Sequence, residues 1–177
     1  PGALGSDFAP QDFESDVAVF RARRELGRSF VGVLSTLKEN EDGSFNRVFG
    51  LDFQWRPNDK DRVFGQALMS RTKTPVYPTF APEWDGQRLN GGGVNVGWNR
   101  NAASYDAHAR FDDFGDRLRV DLGFVPQVGY RQWAGGAGYR MYPKGVVSFA
   151  RLYANGRYLT DRNGDVISRE GAPIGLF

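Results

Sequence analysis

Apolar and polar residues alternate with a period of two along most of this chain, and that periodicity restricts it to β-structure. The clearest run is Val48 to Arg56. Phe49, Leu51, Phe53 and Trp55 take one face, and Gly50, Asp52, Gln54 and Arg56 take the other. Gly93 to Asn99 repeats the pattern, with Val94, Val96 and Trp98 against Asn95, Gly97 and Asn99. Ser104 to Phe111 sets Tyr105, Ala107, Ala109 and Phe111 opposite Ser104, Asp106, His108 and Arg110. In Arg117 to Phe124, Leu118, Val120, Leu122 and Phe124 oppose Arg119, Asp121 and Gly123. A helical period of 3.6 fits none of these stretches. Further strands are expected over Asp16–Arg24, Phe30–Lys38, Arg62–Thr72, Gln132–Tyr142 and Val146–Tyr153.

The connections alternate in length. Leu26-Gly27-Arg28, Pro57-Asn58-Asp59-Lys60, Asn101-Ala102-Ala103 and Tyr142-Pro143-Lys144 read as tight turns. Between them lie a longer turn over Glu39–Phe45, a long loop over Lys73–Asn90, an irregular stretch around Asp112–Val128, and a longer connection over Asn155–Asp165. Asn155-Gly156 and Asn163-Gly164 are hairpin signals in the last of these. Short turns on one side and long loops on the other are the habit of transmembrane β-barrels. A soluble up-and-down barrel, whose hairpins also vary, is the alternative.

The two architectures share one alternation and differ in which face meets water. The apolar positions carry large aromatics, and Trp55 and Trp98 each sit beside a tight turn, where an interfacial girdle belongs. The polar positions carry glycines and both charge signs: Arg23, Asp52, Arg56, Asp106, Arg110, Arg119 and Asp121. Mixed Arg and Asp suit a lumen where charges pair across strands. Water-facing surfaces favour Lys, and this chain has only Lys38, Lys60, Lys73 and Lys144 against 19 Arg. No apolar run reaches the roughly 18 residues of a transmembrane helix. A formal net charge of +2 argues against a nucleic-acid partner. With no Cys and a single His (His108), thiol catalysis, disulfides and multi-histidine metal sites are excluded. The chain starts at Pro1 without a signal-peptide pattern, as expected of a processed product or a piece of a longer protein.

At Gly50-Leu51-Asp52-Phe53, Ser70-Arg71-Thr72, Leu122-Gly123-Phe124-Val125-Pro126 and Tyr130-Arg131, the chain resembles a known group. It is similar to the uncharacterised β-barrel domain that follows a family-9-like carbohydrate-binding module in bacterial outer-membrane proteins. Phe20-Arg21-Ala22-Arg23-Arg24-Glu25-Leu26-Gly27 has that family's look of a strand entering a short turn. The resemblance runs from about Val17 onward. It implies a middle segment of a much longer protein, with strands missing on both sides. It also implies carbohydrate handling at the surface of a Gram-negative cell, and it carries no catalytic residue.

Each group of residues that could carry chemistry also has an ordinary structural role. Tyr77, Phe80 and Trp84 in the longest loop, with Arg88 nearby, form a candidate stacking platform for a sugar; the alternative is a loop that plugs the lumen. Asp52, Arg56, His108, Arg110, Arg119 and Asp121 are the expected lumenal polar set. His108 beside Asp106 could do acid–base work, but no nucleophile accompanies it. Asp112, Asp113 and Asp116 lack the spacing of a calcium loop, as do Asp161, Asn163 and Asp165, where Asx turns suffice. Gly91-Gly92-Gly93 has no following Lys-Ser or helix, so it is read as relief of crowding and not as a phosphate loop. Gly171 to Leu176, broken by Pro173, reads as a poor last strand, and Phe177 as the place where a fragment stops.

The expectation is therefore all-β: an antiparallel up-and-down β-barrel of outer-membrane type, a segment of about eight or nine strands from a larger barrel. Residues 1–177 form one unit, with the most regular strands over 17–155, a long outer loop at 73–90 and a hairpin and fragment end at 156–177. The expected role is structural or transport-related, with no cofactor and no metal; whether the chain carries any catalysis is left open by the sequence. Expected partners are outer-membrane lipid, carbohydrate, and the remainder of its own barrel or other envelope proteins. A soluble ligand-binding barrel and a glycoside-hydrolase-associated domain are the alternatives.

Overall fold

The computed structural model describes residues 14–76, 84–123, 125, 127–144 and 149–176, the last four by their backbone. Nine strands follow one another: β1 (Ser15–Leu26), β2 (Ser29–Asn40), β3 (Phe45–Trp55), β4 (Asp61–Lys73), β5 (Arg88–Asn101), β6 (Tyr105–Phe114), β7 (Tyr130–Met141), β8 (Ala150–Asp161) and β9 (Val166–Leu176). Each pairs antiparallel with the next in chain order, giving one up-and-down sheet with no helix among the described residues. Among the described residues the sheet is open: β1 pairs only with β2, and β9 only with β8.

Local chemistry explains most of the boundaries. Gly27 takes a positive φ of 64° in the two-residue turn after β1, a conformation that side chains resist. Asp42 closes the turn after β2 by accepting the Ser44 N–H at 2.8 Å. Asn58 does the same before β4, accepting the N–H groups of Lys60 and Asp61. The long connection after β4 is drawn together by the Thr74 N–H on Gln87 O and the Gly86 N–H on Pro75 O.

Four expectations need correction. Asn155-Gly156 is not a turn: both residues lie inside β8, opposite Gly136 and Gly135. The positive φ that a hairpin of this kind demands is found at Gly164 instead (100°). Met141 at the end of β7 lies opposite Ala150 at the start of β8, so Tyr142-Pro143-Lys144 does not close a tight turn, and the strand start expected at Val146 lies outside the described residues. The weak last strand is a full one: Gly171 and Ala172 pair with Gly156 and Asn155, and the irregularity is absorbed by two register shifts along β8 and β9.

Residues 117–123 alternate like a strand but form none. The Leu118 N–H bonds Gly115 O at 3.1 Å and the Gly123 N–H bonds Val120 O at 3.2 Å, so the chain turns twice. The alternation there serves docking. Leu118 packs on Val48 and Leu68, with Phe114, Val120 and Val128 around them. This is the core cluster of the described chain, and it lies on one face of the sheet.

Candidate functional site

The register assigns every strand residue to a face. One face carries Arg21, Gly32, Asp52, Gln66, Asn95, Asp112 and Gln132, each opposite its neighbour or within two residues of it along a strand. We call it the polar face. Its charges are paired, across strands and within β6. Arg21 meets Asp52 at 2.7 Å. Asp106 on β6 accepts from Arg140 on β7 (2.9 Å) and from Arg151 on β8. Asp112, only 1% exposed, accepts from Arg110 at 2.9 Å, from Asn95, and from Gln132 at 3.3 Å. A buried carboxylate is stable only with such a full set of donors.

The segment after β6 folds over this face near its long-loop end. The Arg119 N–H donates to Ser70 Oγ at 3.1 Å, and the Asp121 N–H to Asn46 Oδ1 at 3.2 Å. Asn46 Nδ2 donates in turn to Arg119 O (3.1 Å) and to Thr72 Oγ1 (2.8 Å). Asn46 thus supplies both a donor and an acceptor to a backbone that has no neighbouring strand, which satisfies groups that would otherwise be buried unpaired. The Leu118 backbone rests directly on Gly91, where a Cβ would overlap it. The expected crowding at the triple glycine is real, and its source is this segment. The Asp121 side chain is still 40% exposed, but partial loss of water around its carboxyl pushes it above the ordinary range, while Lys38, at 4.0 Å, and Arg119 pull it back down.

The expected lumenal residues separate into three groups. Asp52, His108 and Arg110 lie on the polar face of β3 and β6. Arg56 lies one residue beyond β3, exposed, its backbone N–H on Ser29 Oγ. Arg119 and Asp121 belong to the docked segment and not to a strand wall. Asp106 is held by Arg140 and Arg151, and Arg110 by Asp112, so no acid–base pair forms around His108. Asp112 and Asp113 point to opposite faces; Asp113 is paired with Arg131 (3.1 Å) and Arg162. Asp161 accepts the Asn163 and Asp165 N–H groups at 2.8 Å, an Asx turn. No metal-holding group of carboxylates and His occurs among the described residues. Of the sugar platform, Tyr77 and Phe80 lie outside the described residues, as does Phe177. Trp84 is half-buried, and Arg88 is exposed at the start of β5 on the opposite face from the docked segment.

That opposite face is apolar and uncovered. Successive rows across the sheet read Val33–Leu51–Ala67–Val94, ending at the Asp113–Arg131 ion pair, then Val31–Phe53–Gly65–Val96–Phe111–Trp133. Leu51 is 54% exposed, Trp55 56% and Trp133 56%. The buried apolar side chains among the described residues are, by contrast, Val48, Leu68, Leu89, Leu118 and Leu159. Trp55 and Trp98 fall in one row at the tight-turn end, both opposite Val63. Trp98 Nε1 donates to Asp61 (3.2 Å), which also holds Arg100 (2.8 Å). Tyr105 and Tyr139 pair at the same end. Sequence periodicity marked this face correctly. It could not show Asn46, Ser70 and Thr72 as the seat of the docked segment, because that contact spans more than forty residues of chain.

Comparison with protein-family models, with curated proteins and with solved structures finds no match to this chain.

Proposed function

We propose that this chain is part of the wall of an outer-membrane β-barrel, with the apolar face toward lipid and the polar face toward the lumen. The observation that carries the reading is the inversion of burial. Large aromatic and aliphatic side chains stand uncovered in continuous rows, while Asp112, Asn46, Ser70 and Thr72 are buried on the other face. An uncovered apolar surface of this extent belongs against lipid or another protein. Strands of 10 to 14 residues also suit the span, since a tilted transmembrane strand needs about 9–11. Interfacial Trp and Tyr at the tight-turn end fit an aromatic girdle.

Strand parity argues for a larger barrel. In an antiparallel series β1 and β9 run in the same direction, so antiparallel closure needs an odd number of further strands. The docked segment over 115–123 then acts as an internal constriction of the lumen. The resemblance to the β-barrel domain that follows a carbohydrate-binding module adds surface carbohydrate handling, for which Trp84 and Arg88 are the described candidates.

The test is fractionation of the natively expressed protein followed by intact mass of the extracted band. The account expects outer-membrane recovery, release only by detergent, and a mass far above 19.8 kDa. Recovery at 19.8 kDa in a detergent-free soluble fraction would favour a closed soluble barrel with a ligand cavity.

A further inference from the structure

The long-loop end of the apolar face carries cations that the wall itself does not require. Arg47 on β3 lies directly opposite Arg71 on β4, and in the next row outward Lys73 lies opposite Arg88. Like charges placed directly opposite each other weaken a sheet unless an anion sits between them. Arg47 is partly answered by Glu39, at 2.6 and 3.1 Å. No carboxylate among the described residues pairs with Arg71 or Arg88, and both are exposed.

One row toward the middle of the sheet, the same strands open a groove of about 730 Å³. Leu37, Phe49 and Met69 line it, with Ser35 and Gly92 keeping its floor low and Arg47 and Arg71 at its rim. Phe49 is 47% exposed and Met69 68%. Eight residues separate Arg47 from Trp55, about 26 Å along a strand. The cations and the tryptophan row therefore bracket the apolar band from its two ends.

We propose that this patch binds a phosphorylated lipid, with the Arg47 and Arg71 guanidiniums on its phosphate and an acyl chain in the groove below. The inference rests on the reading of this face as lipid-facing, and it names the lipid. Guanidinium groups take phosphate oxygens in a bidentate fork, and long arginine stems lie along apolar surface while the head reaches the interface. A cation pair above an apolar trough is the complement of an anionic headgroup above a chain. In barrels the long loops face outward, so the site belongs to the outer leaflet.

The test uses the full chain extracted from membranes in non-ionic detergent, with dipalmitoyl phosphatidic acid and dipalmitoylglycerol offered together and bound lipid read by native mass spectrometry. Phosphatidic acid should be retained in preference by on the order of tenfold. Arg47→Gln with Arg71→Gln should abolish that preference, and Lys60→Gln at the tight-turn end should leave it intact. Ser35→Phe, which fills the groove and leaves the cations in place, should weaken retention. Millimolar inorganic phosphate should not compete. Equal retention of both lipids overturns the proposal, as does a preference that survives the double substitution. Full competition by phosphate, or unchanged retention in Ser35→Phe, replaces the lipid site with a simple anion site. A chain that stays soluble without detergent overturns the wall reading itself. A detergent-dependent chain without lipid preference overturns only the site.

Discussion

Gly91 and Leu118 show how a single missing side chain decides where a segment can lie. The Leu118 backbone touches the Gly91 Cα so closely that a methyl group there has no room, and the obstacle is main chain that cannot rotate aside. Gly91→Ala should therefore unseat residues 117–121 while leaving the strands paired. Faster amide exchange at Leu118 and Arg119, with unchanged exchange in β3 and β4, is the expected signature. Leu118 is 1% exposed, and its burial contributes about 1.5–3 kcal/mol to the seating. Asp121 gives the same contact a pH dependence. Its carboxyl is held above the ordinary range by partial desolvation, against the pull of Lys38 and Arg119, so the folded chain binds that proton more tightly than the unfolded chain. The stabilising contribution is complete below the ordinary carboxylate range and disappears as pH rises through the raised value. Exchange protection at Leu118, corrected for intrinsic rates, should increase as pH falls from 7 toward about 4. Asp121→Asn should remove its share of that dependence and protect the segment more strongly at pH 7.

At the scale of the element, the strands and the docked segment were legible to different degrees for one reason. A strand in a two-faced sheet writes its environment into every second residue, so Phe49, Leu51, Phe53 and Trp55 reveal both the strand and its face. The same rule failed over 117–123, where Leu118 and Val120 alternate with polar residues although the chain turns. Alternation reports which side of the chain meets apolar surface, not whether a neighbouring strand supplies hydrogen bonds. It failed again at Asn155-Gly156, a turn sequence that sits in extended backbone because both its neighbours are paired. Cross-strand pairing of Arg and Asp was legible, but the partners were not, since Arg140 and Arg151 meet Asp106 only once β6, β7 and β8 lie side by side. The two faces of β3 should respond oppositely to the same charge. Leu51→Arg places a cation in the apolar band and should cost about 2–4 kcal/mol near a bilayer midplane. Gln54→Arg, on the polar face, should be nearly neutral. Urea titration of the membrane-inserted protein by tryptophan fluorescence reads the difference.

At the scale of the whole molecule, the described sheet has two open edges. β1 is exposed along its full length, and an unpaired antiparallel edge is a template for another strand. Within the proposed barrel these edges meet further strands, and the charges that line the polar face close into rings around a lumen narrowed by the docked segment. The central claim is the orientation of the two faces, and a chain without cysteine allows it to be read directly. Single spin labels at Ala67→Cys and Gln66→Cys, adjacent on β4 and facing opposite ways, would report local access to oxygen, which concentrates in lipid, and to a water-soluble nickel chelate. In the membrane-inserted protein, the label at 67 should respond to oxygen and the label at 66 to nickel. Nickel access at 67 with oxygen access at 66, or no difference between them, would contradict the account.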